Sequence, residues 1–186
     1  EFTRLTESPE PGKETIIVDN EDSAFHFISP ENSTKLRDLI QKQQETDEYS
    51  GLNFWRPPDD WQKAIHNSFY GDVKLSAGYV MAGQGEHKAV WMVPLEKAGY
   101  YEVQVYVSDA GIPRWRRREG DRNIQYHYTI FHDGGEETMP VEVNDREGEW
   151  ISMGSYYFSA DSAKIQISNQ TKGRLVIADA VKLIRK

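Results

Sequence analysis

The feature that most constrains the fold of this chain is a succession of short segments, from Val73 to the C-terminus, in which apolar and polar residues alternate. Alternation with a period of two places one set of side chains on each face of a β-strand. The clearest segment has apolar side chains at every second position, namely Tyr101, Val103, Val105 and Val107. A tight-turn signal, Asp-Gly-Gly, begins at Asp133. Such a series of short strands and turns predicts an all-β antiparallel sandwich.

The N-terminal part of the chain departs from this pattern. Residues 1–14 contain prolines, a glycine and charges, which predict a linker or a segment carried over from cloning before a domain at 15–186. A β-branched run predicts a first strand at 15–19. Residues 33–46 predict one short amphipathic helix, because three apolar side chains share one of its faces.

Composition and charge exclude several classes of protein. The chain has no cysteine, which excludes disulfide scaffolds, thiolate metal sites and cysteine catalysis. Its formal net charge of −8 argues against binding to nucleic acid. No apolar run reaches the roughly 18 residues of a membrane span, so no membrane insertion is expected. Because the chain begins at Glu1-Phe2 without a signal peptide, we expect it to be a mature segment of a longer protein.

Five blocks of sequence carry a resemblance to a known family: Ile-Ile-Val-Asp-Asn-Glu-Asp-Ser-Ala-Phe (16–25), Ala-Gly-Tyr-Tyr-Glu-Val (98–103), Tyr-Thr-Ile-Phe-His-Asp-Gly-Gly (128–135), Gly-Glu-Trp-Ile-Ser-Met-Gly (148–154) and Val-Ile-Ala-Asp-Ala-Val-Lys-Leu (176–183). In this order they resemble the golvesin/xanthan-lyase carbohydrate-binding-like domain. The resemblance implies a jelly-roll β-sandwich of the galactose-binding-like kind. It also implies an accessory module of a secreted or surface bacterial protein. The chain departs from the family pattern in two places: an insertion at about 29–62, which contains the predicted helix, and a longer, more basic loop at 108–123.

An acidic cluster follows the first predicted strand. Asp19, Glu21 and Asp22 offer hard oxygen ligands at close spacing, as calcium requires. The family resemblance supports one structural Ca²⁺, for which Asp19 and Asp22 are the candidate ligands; no other cofactor is expected. The alternative is an acidic turn whose side chains bond their own backbone.

Two polar residues are predicted to be buried in structural roles. The last predicted strand, 174–184, has one apolar face that includes Asp179, so this carboxylate should lie in the core. A buried carboxylate needs hydrogen-bond donors. By the same alternation His132 faces the core, so we expect Asp179 to accept a bond from His132, from a tyrosine hydroxyl or from backbone amides near Asp19.

An aromatic loop is the first candidate ligand-binding segment. Trp55 and Trp61 flank a polar, proline-containing stretch, and Tyr70 follows. Sugar rings stack on such side chains, while polar groups bond the sugar hydroxyls. The alternative is that Trp55 and Trp61 pack the inserted helix onto the sandwich.

A basic segment is the second candidate. Trp115 lies among Arg114, Arg116 and Arg117 in a chain of opposite net charge. Arginine forks match the carboxylates and sulfates of anionic polysaccharides. The segment could instead dock an acidic face of another domain or form a solvated hairpin.

No catalytic residue is predicted. The histidines form no metal-binding motif, and His127 and His132 point to opposite faces of one predicted strand. With the family resemblance, which implies an extracytoplasmic bacterial parent protein, the chain is expected to be a non-catalytic accessory module that binds a polysaccharide or cell-wall glycan. The alternative is a structural module that packs against a catalytic domain of its own parent chain. An independent glycan hydrolase or lyase has the least support.

Overall fold

The alternating segments form β-strands in a computed structural model, which describes residues 14–30, 49–110 and 124–186. Within these ranges the structure contains strands and no helix. The strands in chain order are β1 (Thr15–Val18), β2 (Phe25–Ile28), β3 (Tyr49–Gly51), β4 (Gln62–Ile65), β5 (Ser76–Met81), β6 (Lys88–Leu95), β7 (Gly99–Ser108), β8 (Gln125–His132), β9 (Gly135–Glu142), β10 (Glu147–Phe158), β11 (Asp161–Ser168), β12 (Leu175–Ala178) and β13 (Val181–Arg185). The predicted helix at 33–46 and nearly all of the predicted linker at 1–14 lie outside the described residues.

The strands form three sheets. Sheet A has the order β1-β13-β7-β10, sheet B the order β2-β6-β11-β8-β9, and sheet C the order β12-β5-β4-β3. Contacts of β1 with β6 and of β10 with β8 join sheet A to sheet B. The all-β, antiparallel, jelly-roll prediction is thereby confirmed, with one exception. β3 and β4 are parallel. The segment 52–61 carries the chain back to the end of the sheet at which β3 began, so β4 runs in the same direction as β3.

The core lies against one face of most strands. In β7, the side chains of Tyr101, Val103 and Val105 share one face and are fully buried. Tyr100, on the opposite face, is 60% exposed, as alternation predicts. Trp91 of β6 is also fully buried, and one hydrophobic cluster takes residues from all three sheets. The core therefore holds the sheets together as a single sandwich.

The C-terminal segment corrects one sequence prediction. The predicted last strand is two strands in different sheets, since β12 pairs with β5 and β13 pairs with β1 and β7. Every residue from 175 to 183 is buried, so both faces of this segment are covered and alternation cannot reveal the break. Asp179 and Ala180 connect the two sheets.

None of the described segments forms a helix that is long and apolar enough to cross a membrane.

Candidate functional site

The loop between β3 and β4 presents an exposed indole ring. Trp55 is 53% exposed, and its ring meets that of Phe54 edge to face at 5.5 Å between centroids. The guanidinium carbon of Arg174 lies over both rings, 5.6 Å from the Trp55 centroid and 5.8 Å from the Phe54 centroid. Together with Asn53 and Arg56, these residues are the Trp55 surface. It offers an apolar ring face beside fixed hydrogen-bond donors.

Backbone bonds hold the Trp55 surface in place. Arg174 Nη2 donates to the Trp55 carbonyl at 3.0 Å, and the Arg56 N–H donates to Asn53 Oδ1 at 3.0 Å. The Met81 N–H donates to the Pro58 carbonyl at 2.8 Å, which ties the loop to β5. A ring positioned before the ligand arrives loses little conformational entropy on binding.

Asp60 fastens the C-terminal end of the same loop. Its Oδ1 accepts bonds from the Ser29 hydroxyl and from the Trp61 N–H, and it lies 3.4 Å from His87 Nδ1. This carboxylate therefore joins the loop to the residue after β2 and lies close to His87 of the β5–β6 connection.

Trp61 packs against the sandwich. It stacks on Phe27 at 4.9 Å between centroids with planes 14° apart. Gly78 lies beneath this pair, since a Cβ there would be 2.4 Å from the Phe27 ring and 3.5 Å from Trp61 Cε3. Trp61 therefore packs against β2 and β5, while the helix that it was predicted to hold lies outside the described residues.

Tyr70 belongs to a third aromatic group, on sheet A. Its ring packs edge to face on Tyr106 at 5.5 Å and on Trp150 at 5.1 Å. Burial raises the pKa of Tyr70, with further increases from nearby carboxylates. Lys182 Nζ lies 4.4 Å from the Trp150 centroid. Trp55, Trp61 and Tyr70 thus rest on sheets C, B and A respectively, and the structure does not gather them into one aromatic platform.

Asp179 is 1% exposed, as predicted, and one of its partners is a backbone amide. The Tyr70 N–H donates to the Asp179 carboxylate at 3.1 Å, while Trp91 Nε1 donates to the Asp179 carbonyl at 3.4 Å. The prediction for His132 is wrong. This residue ends β8 and is partly exposed; its Nδ1 accepts from the Gly134 N–H and its ring packs on Tyr156.

The acidic turn after β1 uses its carboxylates on its own backbone. Asp22 Oδ2 accepts from the Asp19 N–H and Asp19 Oδ1 accepts from the Asn20 N–H, both at 2.6 Å. Burial raises the pKa of Asp19 to about 7, and the charges of Asp22 and Glu21 add to the effect.

Glu21 anchors the acidic turn to sheet C. It accepts bonds from Ser76 at 2.7 Å and Tyr49 at 2.6 Å, and Lys63 lies 3.3 Å away. Within the described ranges no three acidic or histidine side chains are grouped to hold a metal ion. Calcium binding by Asp19 and Asp22 stays a prediction.

The basic segment with Arg114, Trp115, Arg116 and Arg117 lies outside the described residues. The described chain resumes at Ile124, which packs so closely on Gly173 that a Cβ there would lie 2.9 Å from Ile124 Cγ2. Gly173 immediately precedes Arg174 of the Trp55 surface. Sequence reasoning missed Arg174, because no pattern links positions 55 and 174 before the fold is known.

Comparisons with known proteins agree with this fold. The family model of the golvesin C-terminal domain matches residues 52–185. A xanthan lyase from Paenibacillus is similar over 92% of this chain, with 22% identity and a TM-score of 0.62. This chain spans 13% of the length of that lyase.

A solved carbohydrate-binding module has the same fold. A family 35 carbohydrate-binding module from Clostridium thermocellum is similar over 91% of this chain and 98% of its own, with 13% identity and a TM-score of 0.52. No functionally curated protein matches the sequence. Its match to the family model over most of its length shows that the chain belongs to the golvesin C-terminal domain family.

Proposed function

We propose that this domain is a non-catalytic accessory module that binds carbohydrate through the Trp55 surface. The observation that carries the proposal is the indole ring of Trp55, which is more than half exposed. Arg174 holds this residue by donating a hydrogen bond to its backbone carbonyl. Sugar rings present faces of C–H groups that stack on indole, and their hydroxyls accept hydrogen bonds from guanidinium groups. The ring therefore supplies contact area, and the arginine supplies orientation.

The chemistry of the surface favours binding over catalysis. Its charged groups are Arg56 and Arg174, and a guanidinium stays protonated throughout the physiological pH range. Such groups hold a ligand but do not exchange protons with it as a general acid or base does. Their positive charge favours glycans that carry carboxylates, although the chain as a whole is acidic.

The relatives support an accessory role. One similar domain is a small part of a much longer xanthan lyase, and another is a carbohydrate-binding module. By analogy, the ligand would be a polysaccharide or cell-wall glycan, and the parent protein would be an extracytoplasmic bacterial protein. Trp115 and the arginines at 114, 116 and 117 are further candidate ligand contacts, because arginine forks match the carboxylates of an acidic glycan.

Titration calorimetry on purified protein tests the proposal. The ligands are xanthan, polygalacturonate, a neutral β-mannan and peptidoglycan fragments. We expect saturable binding to at least one of them, weakened about tenfold or more in Trp55→Ala, since loss of a stacked ring costs on the order of 1–3 kcal/mol. Arg174→Ala should weaken binding to an acidic glycan more than to a neutral one.

Matched variants separate binding from folding. Val73 is 95% exposed, so Val73→Ala removes exposed apolar surface elsewhere and should leave affinity unchanged. Trp115→Ala shows whether the basic segment contributes. Equal affinity of wild type and Trp55→Ala would place the ligand elsewhere. Binding to none of the four glycans would favour a module that packs against its own parent chain.

A further inference from the structure

A second exposed aromatic pair lies on the outer face of sheet A. Tyr100 of β7 and Tyr157 of β10 are direct cross-strand neighbours, 60% and 41% exposed. Their rings meet edge to face with centroids 5.3 Å apart. Their carbonyls accept bonds from the N–H groups of Lys186 at 3.0 Å and Asp133 at 3.2 Å. The two rings are therefore held by a rigid sheet rather than by a loop.

An ordered polar row continues from this pair along the same face. Glu102 follows Tyr100 by two residues, so its side chain leaves the same face about 7 Å further along β7. Its carboxylate accepts bonds from Gln104 Nε2 at 2.9 Å and Ser152 Oγ at 3.1 Å, and it pairs with Lys186 Nζ. These bonds lower the pKa of Glu102 to about 2, so the carboxylate is ionised at neutral pH.

The two aromatic surfaces lie at opposite ends of the sandwich. β8 begins next to Ile124, which packs on Gly173 beside the Trp55 surface. It ends next to Asp133, whose N–H donates to the Tyr157 carbonyl. A strand of 8 residues is about 26 Å long at about 3.3 Å per residue. One ligand ring cannot touch both surfaces.

We propose that Tyr100 and Tyr157, with Glu102 and Lys186, form a second carbohydrate-binding surface that makes the domain bivalent for polysaccharide. The inference rests on the carbohydrate-binding function proposed above. Two phenol rings supply stacking faces, while a fixed carboxylate and ammonium supply an acceptor and a donor for hydroxyl groups. Two sites on one rigid domain increase avidity for a long chain and allow one domain to connect two chains.

The composition of the face favours a glycan over a protein partner. A stable protein interface buries a largely apolar centre of several hundred Å² on each partner. Here one pair of tyrosines adjoins a row of charged, amide and hydroxyl side chains that are bonded to one another. Such a mixture suits a sugar ring, which has an apolar face of C–H groups and hydroxyl groups along its edge.

Cross-linking of polysaccharide is the property to measure, because it requires both surfaces. The variants are Trp55→Ala, the double variant Tyr100→Ala/Tyr157→Ala, and the triple variant. Turbidity or viscosity of xanthan, or of whichever glycan of the panel binds, reports cross-linking, and retention on the immobilised glycan reports total binding. Val73→Ala is the control, because it removes an exposed apolar side chain and leaves both surfaces intact, so it should cross-link like wild type. Thermal unfolding checks that each variant is folded.

We expect Trp55→Ala and the double variant each to lose cross-linking while retaining weaker binding, and the triple variant to lose binding altogether. If the triple variant binds no less than Trp55→Ala, the second surface does not exist, whereas the proposed function stands. If Trp55→Ala alone abolishes all retention, the second surface is likewise refuted. If wild type binds none of the glycans, the proposed function itself fails and the inference fails with it.

Discussion

The carboxylate of Asp179 accepts a hydrogen bond from the backbone N–H of Tyr70 at 3.1 Å, across 109 positions of sequence. This bond fixes the β4–β5 connection to the point where the chain passes from sheet C to sheet A. The Asp179 carbonyl accepts from the Trp91 indole, so one residue joins all three sheets. Its burial is thus explained by a structural role.

Asp179→Asn tests this role. The change keeps the side-chain volume but replaces a charged acceptor by an amide, which weakens the bond to Tyr70. We expect a loss of about 1–3 kcal/mol in the free energy of unfolding, measured by urea denaturation. Asp161→Asn, at an exposed position, should stay within about 0.5 kcal/mol of wild type. Unchanged stability combined with lost glycan binding would show that Asp179 serves the ligand instead.

Gly78 offers a second test, of the packing of Trp61. A Cβ at this position would lie 2.4 Å from the Phe27 ring, so Gly78→Ala forces the Phe27–Trp61 stack away from β5. We expect a destabilisation of about 1–3 kcal/mol and a change in tryptophan fluorescence. Gly51→Ala is the matched control, since nothing lies within 4 Å of the added Cβ there. Similar stability of the two variants would contradict the close packing.

The two loop tryptophans should respond differently to truncation. Trp61 is partly buried against Phe27, whereas Trp55 is 53% exposed. We expect Trp61→Ala to cost about 2–4 kcal/mol of stability and Trp55→Ala to cost less than about 1 kcal/mol. Thermal unfolding of both variants measures the difference. A larger loss for Trp55→Ala would make that residue part of the packing and would weaken the proposed function.

Alternation in the sequence was sufficient to predict the sandwich and most of its strands, because those strands have one buried and one less buried face. It failed at 174–184, where both faces are buried and the strand break leaves no trace in the pattern. It failed at His132 for another reason. His132 is the last residue of β8 and lies at the edge of the core, so it is less buried than Tyr128 and Ile130 on the same face. The pairs Trp55–Arg174 and Tyr100–Tyr157 depend on the fold, and local sequence contains no information on them.

The pKa of Asp19 predicts how stability changes with pH. Burial raises this pKa from 3.8 to about 7 in the folded protein. Between these values the folded state holds a proton that the unfolded state has released, so the free energy of unfolding falls as pH rises from about 4 to about 7. We expect Asp19 to account for about 2–4 kcal/mol of this fall. Urea denaturation at pH 5 and pH 7.5 should show a smaller fall for Asp19→Asn than for wild type, and an unaltered fall for Asp161→Asn. An equal pH dependence of all three proteins would show that Asp19 titrates normally.

Calcium would oppose this effect if it binds at the same turn. A divalent cation binds the ionised carboxylate and competes with the proton for it, so Ca²⁺ at Asp19 and Asp22 should stabilise the fold most above about pH 7, where Asp19 is already ionised. We therefore expect millimolar Ca²⁺ to raise the unfolding temperature at pH 8 more than at pH 5, and Asp22→Asn to abolish the increase. Mg²⁺ serves as the control ion, because it prefers a smaller octahedral set of ligands. Identical unfolding temperatures in Ca²⁺ and in EDTA would mean that the two carboxylates act only as acceptors for the backbone of their own turn, the role that their bonds at 2.6 Å already fill.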